Sequence, residues 1–517
     1  MAVHLALLRT GKVVLFSGDH EHIGMWTKGE SSIWDPEKPN QSDNNPTLGR
    51  NLFCSGHCLL PDGRLLVAGG QSTNNHPVFV VLSALTILPA ILKLFGKEAA
   101  DHDIHTFDPE KEEWHYHRHI KMPKARWYPT CVTLPDGKAI IVSGTYAHAF
   151  HSLFGGFINI DYEIFDPSTN TLSKPSNFIE KIELYPFLHV LPGGLLFVHS
   201  KDTTHFWDIV GGKLIADTEF HTESKGTRTY PGMGSSVLLP LDQQQQQQNK
   251  TTSASPDTAR ILLVGGSTSN SPNNDTDATD IAEIFTVDLR NPANSPGWVI
   301  VSSNPIRRFL CDSVLLPDGT VLVTNGAKKG IADNNKEAVM EIELFDPNDN
   351  SWTVVGTLQK PRLYHSSAVL LSDGRVLVAG STGHHWIKAT ISPVDHFEHN
   401  VEIINPPYLQ RDSSTTPRPT IETFPPSIKY RSSFEVAIAE NDVDDIKMVS
   451  LIRLSSTTHN NNMDQRCILL SIMDRTVKTL KLSTPKDGSW APPGHYMLFV
   501  VNRDRVPSIG KIIQVGY

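Results

Sequence analysis

One short pattern recurs along most of the sequence, and this repeat constrains the fold more than any other feature. In each copy, two apolar residues precede a turn of the Pro-Asp-Gly kind, and a run of apolar, strand-forming residues follows the turn. Intact copies occur at 7–18, 59–70, 133–144, 190–200, 315–326 and 370–381. A seventh copy is split between 238–241 and 260–266.

Each copy predicts two antiparallel β-strands joined by a tight hairpin, because Asp-Gly supplies the positive φ that such a turn needs. A second pair of strand signals follows most copies, as in YEIFDPSTNTLS at 162–173 and IELFDPNDNSWTVV at 342–355. The four-stranded unit recurs at roughly 50 residues, the period of kelch-type propeller blades. We therefore predict an all-β protein in which residues 1–407 form a seven-bladed kelch-type β-propeller.

Two segments, at about 76–99 and 242–259, lengthen the repeat and are interpreted as insertions into an intact array. The first holds the apolar run from Val78 to Phe95, whose length approaches that of a membrane span. A helix packed on the propeller is favoured over a span, because the run contains a proline and lies inside a blade. The second insertion holds a glutamine tract, which predicts a disordered hairpin extension.

The sequence pattern changes after residue 401, where the repeated turn no longer occurs. A polar, proline-bearing linker is followed there by alternating strand patterns. These patterns predict an immunoglobulin-like β-sandwich over residues 417–517. The sequence therefore predicts two all-β domains.

Charge and cysteine content exclude several classes of function. The net charge of −9 is spread without blocks of like sign, so we expect neither nucleic acid nor a membrane as a partner. The five cysteines contain no Cys-x-x-Cys pair and are too sparse for a disulfide framework. A small-molecule partner and a monomeric chain are expected.

The repeat also predicts a site, because residues at one register in different blades converge on one mouth of a propeller channel. Counting back eight residues from the aspartate of the turn, or its equivalent, reaches Cys54, Tyr128, Tyr185 and His365, and Tyr364 lies beside the last. Imidazole and phenolate donors suit Cu(II), whereas zinc would take more thiolates or histidines. The alternative is a set of core polar groups without a metal.

Four motifs carry a resemblance to a known family. They are Phe53-Cys54-Ser55-Gly56, Ala125-Arg126-Trp127-Tyr128-Pro129-Thr130, Pro361-Arg362-Leu363-Tyr364-His365-Ser366, and Thr458-His459 followed by Asp464-Gln465-Arg466. Over nearly its whole length the chain resembles the copper radical oxidases, the family of galactose oxidase and glyoxal oxidase.

The resemblance implies one copper ion per chain and a protein-derived radical. It makes Tyr128 an equatorial ligand that is cross-linked to Cys54 through a thioether, and Tyr364 the axial phenol and general base. It makes His365 and His459 the imidazole ligands, the second delivered by a loop of the sandwich domain. The radical and the copper ion together would take the two electrons of an alcohol or aldehyde oxidation, and O₂ would leave as H₂O₂.

Three stretches, ARWYPT at 125–130, LYPFLHVLP at 184–192 and TYPGMGSSVLLPL at 229–241, resemble the glyoxal oxidase branch more than the galactose oxidases. Small aldehydes, reacting as hydrated diols, are therefore the expected substrates. Tyr146 occupies the place where galactose oxidases shield the radical with a tryptophan, and Tyr185 is a candidate for the substrate pocket. A primary-alcohol oxidase and a propeller that binds without catalysis remain alternatives.

The compartment is left open by the sequence. The resemblance implies an extracellular protein, whereas residues 1–18 carry no secretion signal. An intracellular protein and an incomplete N-terminus both agree with this pattern.

Overall fold

The computed structural model describes residues 2–18, 29–40, 42–71, 100–146, 158–243, 258–303, 306–332, 334–382, 398–411, 417–439 and 442–516. The apolar run at 78–95 and residues 244–248 of the glutamine tract lie outside these residues. The described part is all-β, apart from short 3₁₀ helices at Pro292–Asn294, Pro407–Leu409 and Val443–Asp445. Within it, no helix has the length and apolarity to cross a membrane.

The chain up to residue 404 forms a succession of largely antiparallel sheets, each built mainly from strands that are near neighbours in the chain. Leu241–Asp242 is an exception, because it pairs in parallel with Cys467–Leu470. In chain order, the strands are His4–Leu7, Val13–Gly18, Gly29–Trp34 and Ser42–Asn44; Gly56–Leu59, Leu65–Ala68, Asp101–Asp108 and Glu113–Thr133; Ala139–Thr145, Asp161–Asp166, Thr171–Leu172 and Ser176–Asn177; Phe187–Leu191, Leu195–Ser200, Thr203–Asp208, Lys213–Leu214 and Phe220–His221. They continue with Ser235–Leu238, Leu241–Asp242, Thr258–Val264, Ile281–Asp288 and Trp298–Ser303; Asp312–Leu315, Val321–Thr324, Ala327–Ile331, Asn334–Ala338, Glu341–Asp346 and Ser351–Thr357; Ser366–Leu370, Val376–Gly380 and Glu402–Ile404.

The predicted hairpins are confirmed. In the copy at 59–70, Leu59 pairs with Leu65 across a turn in which Gly63 has a φ of 88°. The split copy also forms a hairpin, because Leu238 pairs with Ile261 although the two residues are separated by the long insertion. The repeated turn therefore fixes where each sheet begins.

Glu113–Thr133 is a long strand that belongs to two sheets. Its first half pairs with Asp101–Asp108, and its second half pairs with Ala139–Thr145. The outermost strand of one sheet thus continues directly as the innermost strand of the next, and Tyr128 lies on that second half.

The C-terminal region consists of two sheets around one apolar core. The first sheet contains Ser427–Ile428, Ile446–Arg453, Cys467–Leu470, Gly494–Asn502 and Lys511–Val515, and Leu241–Asp242 adds to its edge. The second contains Ile421–Thr423, Ser433–Ile438, Ile472–Arg475 and Thr479–Ser483. Both contribute to one buried cluster, in which Val436 and Leu480 of the second sheet join Leu451 and Leu498 of the first.

A hairpin of the C-terminal region reaches into the N-terminal array. Its strands are Ser456–Thr458 and Asn461–Asn462, and the first pairs antiparallel with His4–Leu7. This pairing places His459, at the tip of the hairpin, beside the innermost strands of the array.

Candidate metal centre

The residues that precede the innermost strands are linked from sheet to sheet by backbone hydrogen bonds. The amide of Tyr128 donates to the carbonyl of Cys54 at 2.9 Å, and the amide of Tyr185 donates to the carbonyl of Tyr128 at 3.1 Å. The register predicted from the sequence therefore brings these residues side by side.

These residues also share an unusual backbone conformation. Their φ angles are 56° at Cys54, 64° at Tyr128, 47° at Tyr185 and 66° at His365. The left-handed region costs a residue other than glycine about 1–2 kcal/mol. Because the same conformation recurs at the same register, the array itself holds each of these side chains in place.

Three potential metal ligands meet at this point. The sulfur of Cys54 and one ring nitrogen each from His365 and His459 lie within 4.8 Å of one another, and all three residues are buried. Cys54 Sγ is 3.3 Å from His459 Nε2, and the two imidazole rings are 4.8 Å apart.

The two predicted phenolic ligands adjoin this group. The hydroxyls of Tyr128 and Tyr364 are hydrogen-bonded at 2.9 Å. The ring of Tyr364 lies 3.8 Å from that of His365, and the ring of Tyr128 lies 5.4 Å from that of His459. The structure therefore brings together the thiol, both imidazoles and both phenols that the sequence motifs indicated.

Hydrogen bonds define which nitrogen of His459 is available to a metal. The Thr458 hydroxyl donates to the carbonyl of Val3 at 3.2 Å, so at its other contact, 2.6 Å from His459 Nδ1, it accepts. Nδ1 therefore carries the proton and Nε2 holds a lone pair directed at the Cys54 thiol. Burial lowers the pKa of His459 well below its usual value, which keeps the ring neutral.

This donor set fits copper. Imidazoles bind copper well, and the phenols of Tyr128 and Tyr364 add oxygen donors. The sulfur of Cys54 lies beside them, where the resemblance places the cross-link to Tyr128. His459 satisfies the requirement for an unprotonated nitrogen and for a second hydrogen bond that orients the ring.

The two tentative site residues have different environments. Tyr185 is fully buried, its hydroxyl donates to the carbonyl of Ser55 at 2.9 Å, and its pKa is raised by burial and by the neighbouring Cys54. Tyr146 is half-buried at the edge of the apolar cluster that contains Tyr128. Their roles at the substrate pocket and in radical shielding stay predictions.

Tyr230, which was not among the predicted site residues, lies against the centre. Its ring stacks on Tyr128, with centroids 4.6 Å apart and an interplanar angle of 29°. The signal that could have found it is the Arg-x-Tyr-Pro pattern that residues 126–129 share with residues 228–231.

Comparison with known families decides the relationship. The model described as "Glyoxal oxidase N-terminus" matches residues 84–408, and "Galactose oxidase-like, Early set domain" matches residues 418–515. The chain belongs to the glyoxal oxidase family. The resemblance to copper radical oxidases that the motifs carried is thereby confirmed.

Relatives of this glyoxal oxidase family member include proteins named as aldehyde oxidases and one named as a galactose oxidase. It is 28% identical over 481 residues to aldehyde oxidase GLOX of Vitis pseudoreticulata, covering 90% of this chain and 82% of the relative. It is 30% identical over 422 residues to aldehyde oxidase GLOX1 of Arabidopsis thaliana, covering 77% of this chain and 65% of the relative. It is 26% identical over 503 residues to a galactose oxidase of Gibberella zeae, covering 94% of this chain and 64% of the relative.

A solved structure has the same fold. It is a fungal alcohol oxidase in complex with copper, with a TM-score of 0.74 and 22% identity, covering 100% of this chain and 97% of the other. At this identity the similarity shows the fold alone.

Proposed function

We propose that this protein is a copper radical oxidase that converts small aldehydes, as hydrated diols, to carboxylic acids and reduces O₂ to H₂O₂. The observation that carries the proposal is the buried convergence of Cys54, His365 and His459, with their ligand atoms within 4.8 Å, beside the paired phenols of Tyr128 and Tyr364. A purely structural array would have no need of this donor set.

Tyr128, Tyr364, His365 and His459 would hold one copper ion. Copper, when bound, supplies a Lewis acid for the substrate oxygen and an acceptor for one electron. Cys54 would be joined by its sulfur to the ring of Tyr128, and the resulting thioether-substituted phenol would accept the second electron.

The chain's own side chains then divide the work on the substrate. The Tyr364 oxygen takes the hydroxyl proton of the diol, because a positioned phenolate is within reach of a group held beside Tyr128. The oxygen of Tyr128, once the cross-linked ring is oxidised, would take the hydrogen atom from the substrate carbon. The diol loses two protons and two electrons to become the acid, and O₂ gains both pairs as H₂O₂.

The aldehyde preference rests on the relatives named as aldehyde oxidases and on the glyoxal oxidase model that covers most of the array. The galactose oxidase relative supports a primary-alcohol oxidase as the second candidate. A panel of glyoxal, methylglyoxal, galactose and simple primary alcohols, followed by peroxide release, separates the two.

The proposal extends to the architecture and the setting of the protein. We infer that the successive sheets are the blades of a seven-bladed propeller over residues 1–407 and that residues 417–517 are an immunoglobulin-like sandwich. We also infer that the protein is a monomer. We infer as well that it works outside the cell, since Asn274-Asp275-Thr276 is a possible glycosylation acceptor and Asn274 is exposed.

Copper loading in air tests the function. The expected result is one copper per chain, a loss of two hydrogen atoms in the intact mass, visible absorption of a phenoxyl, and peroxide release with aldehydes. Cys54→Ser should bind copper without the mass change or the absorption. Wild-type protein that binds copper without forming the thioether or turning over any substrate would instead support a binding module.

A further inference from the structure

The backbone amide of Cys54 has a different partner from its counterparts. Tyr128 and Tyr185, at the same register, donate their amides to backbone carbonyls of the preceding sheet at 2.9 and 3.1 Å. Cys54 donates its amide to a side chain, Nε2 of His4, at 3.2 Å. The backbone at the predicted cross-link therefore depends on an imidazole.

This imidazole begins a buried chain of hydrogen bonds. His4 Nδ1 lies 3.1 Å from His57 Nε2, and His57 Nδ1 is hydrogen-bonded to the hydroxyl of Ser456. The Ser456 hydroxyl contacts the carbonyl of His57 at 3.2 Å. All three residues are fully buried.

One arrangement of protons agrees with the four hydrogen bonds of this chain. A backbone amide can only donate, so His4 Nε2 is unprotonated and the His4 proton is on Nδ1. That proton is donated to His57 Nε2, which leaves the His57 proton on Nδ1 for the Ser456 oxygen. Ser456 in turn donates to the His57 carbonyl. We call His4, His57 and Ser456 the relay. Each of its groups has one role, as donor or as acceptor, in each of these hydrogen bonds.

The relay joins three parts of the chain that meet at the metal centre. His4 lies on the first strand, His57 lies on the strand that follows Cys54, and Ser456 begins the hairpin that carries His459. His4 is further fixed by Phe16, whose ring stacks on it at 4.6 Å with an interplanar angle of 10°.

We propose that His4 and His57 are positioning residues that hold the backbone of Cys54 in its left-handed conformation and so set the approach of its sulfur to the Tyr128 ring. They would act through Cys54 and touch neither substrate nor copper. Loss of the His4 acceptor would remove this hydrogen bond from the buried Cys54 amide and weaken the support for its strained φ of 56°. This inference rests on the proposed function.

The step that the relay controls is formation of the thioether. The S–H bond of Cys54 and one ring C–H bond of Tyr128 break, and a carbon–sulfur bond forms. The two protons and two electrons released are taken up by O₂, which becomes H₂O₂. The rate of this step is measured directly from the loss of two hydrogen atoms, independently of turnover.

The test compares full-length variants that are loaded with copper in the absence of O₂ and then exposed to air. His4→Phe keeps an aromatic ring against Phe16 but removes the acceptor, and we expect thioether formation to slow about tenfold at unchanged copper stoichiometry. His4→Gln restores an acceptor and should recover most of the rate.

The matched control is His189→Phe. His189 is also buried and donates to or accepts from a serine, Ser236 at 2.8 Å, but it lies outside the relay. Its loss should leave the rate of thioether formation unchanged. A ring lost from the relay and a ring lost elsewhere are thereby distinguished.

Thioether formation at the wild-type rate in folded His4→Phe would overturn the inference. If His4→Phe does not fold, Ser456→Ala decides, because it removes only the last acceptor of the relay, and an unchanged rate there would overturn the inference as well. Failure of the wild-type protein itself to form the thioether would instead refute the proposed function.

Discussion

Two layers of buried side chains run around the array of sheets, and they differ in what they repeat. In one layer, an arginine before the innermost strand pairs with a glutamate on the third strand. The pairs are Arg126 with Glu163, Arg228 with Glu283, Arg308 with Glu343 and Arg362 with Glu402, at 2.5, 2.7, 2.5 and 4.0 Å. In the other layer, at the register of the predicted site, the side chains are those of Cys54, Tyr128, Tyr185, Leu310 and His365.

The first layer, the ion-pair layer, repeats the same residue types from sheet to sheet. The second, the register layer, repeats its backbone conformation while its side chains differ. Each arginine of the first layer also donates to a backbone carbonyl, as Arg308 does to Asn325 at 3.1 Å. All except Arg362, whose glutamate lies at 4.0 Å, also donate a hydrogen bond to their glutamate. In the second layer the left-handed φ recurs at Tyr128, Leu310 and His365, while the side chains change from phenol to alkyl to imidazole. The comparison indicates that the ion-pair layer stabilises the array of sheets, whereas the register layer carries the side chains of the candidate site.

The largest expected effect is on the register layer. His459→Ala removes a nitrogen ligand, so we expect copper binding to be lost and peroxide formation to fall by about 10³-fold or more. Metal analysis and an oxygen-electrode assay check this. Full copper occupancy in the variant would contradict the assignment of this layer to function.

The next largest effect is on the free energy of unfolding, and it is expected for the ion-pair layer. Arg308→Met leaves the Glu343 carboxylate buried and uncompensated, and we expect the free energy of unfolding to fall by about 3–5 kcal/mol. Copper stoichiometry per folded molecule should not change.

The double variant Arg308→Met with Glu343→Met is the control, and it should recover most of the lost stability because no charge is left unpaired. Chemical denaturation measures both proteins. A loss that persists in the double variant would show that packing, and not charge, carries the effect.

A smaller effect is expected beside the register layer. Tyr230→Leu removes the ring stacked on Tyr128, and a stacked pair contributes about 0.5–1.5 kcal/mol beyond area burial. The reduction potential of the radical should shift, while Tyr230→Phe, which keeps the ring, should behave like the wild type. Redox titration of the visible absorption distinguishes them.

The smallest effect concerns pH. Burial lowers the pKa of His189 to about 3, so its folded state stays neutral where the unfolded chain takes up a proton. Stability is therefore lost as pH falls below the ordinary histidine pKa of about 6.5, with a slope of up to about 1.4 kcal/mol per pH unit.

His189→Gln removes this proton uptake, so the variant should lose less stability between pH 6 and pH 4 than the wild type. Denaturation at several pH values measures the difference. Identical pH profiles would show that His189 titrates normally in the folded protein.

The sequence by itself determined the hairpins, the all-β class and the shared register of Cys54, Tyr128, Tyr185 and His365. Turn formation and the alternation of apolar and polar residues along a strand depend on residues that are close together in the chain. The spacing from each turn then fixed which residues precede each innermost strand.

Only the tertiary structure decided that His4 supports Cys54, that Tyr230 covers Tyr128, and that Thr458 sets the tautomer of His459. Each of these contacts joins residues that are far apart in the chain, and each depends on how one sheet packs on the next. A hydrogen bond or a stacked ring needs both partners to be placed within a few tenths of an ångström, and that placement exists only once the sheets have assembled.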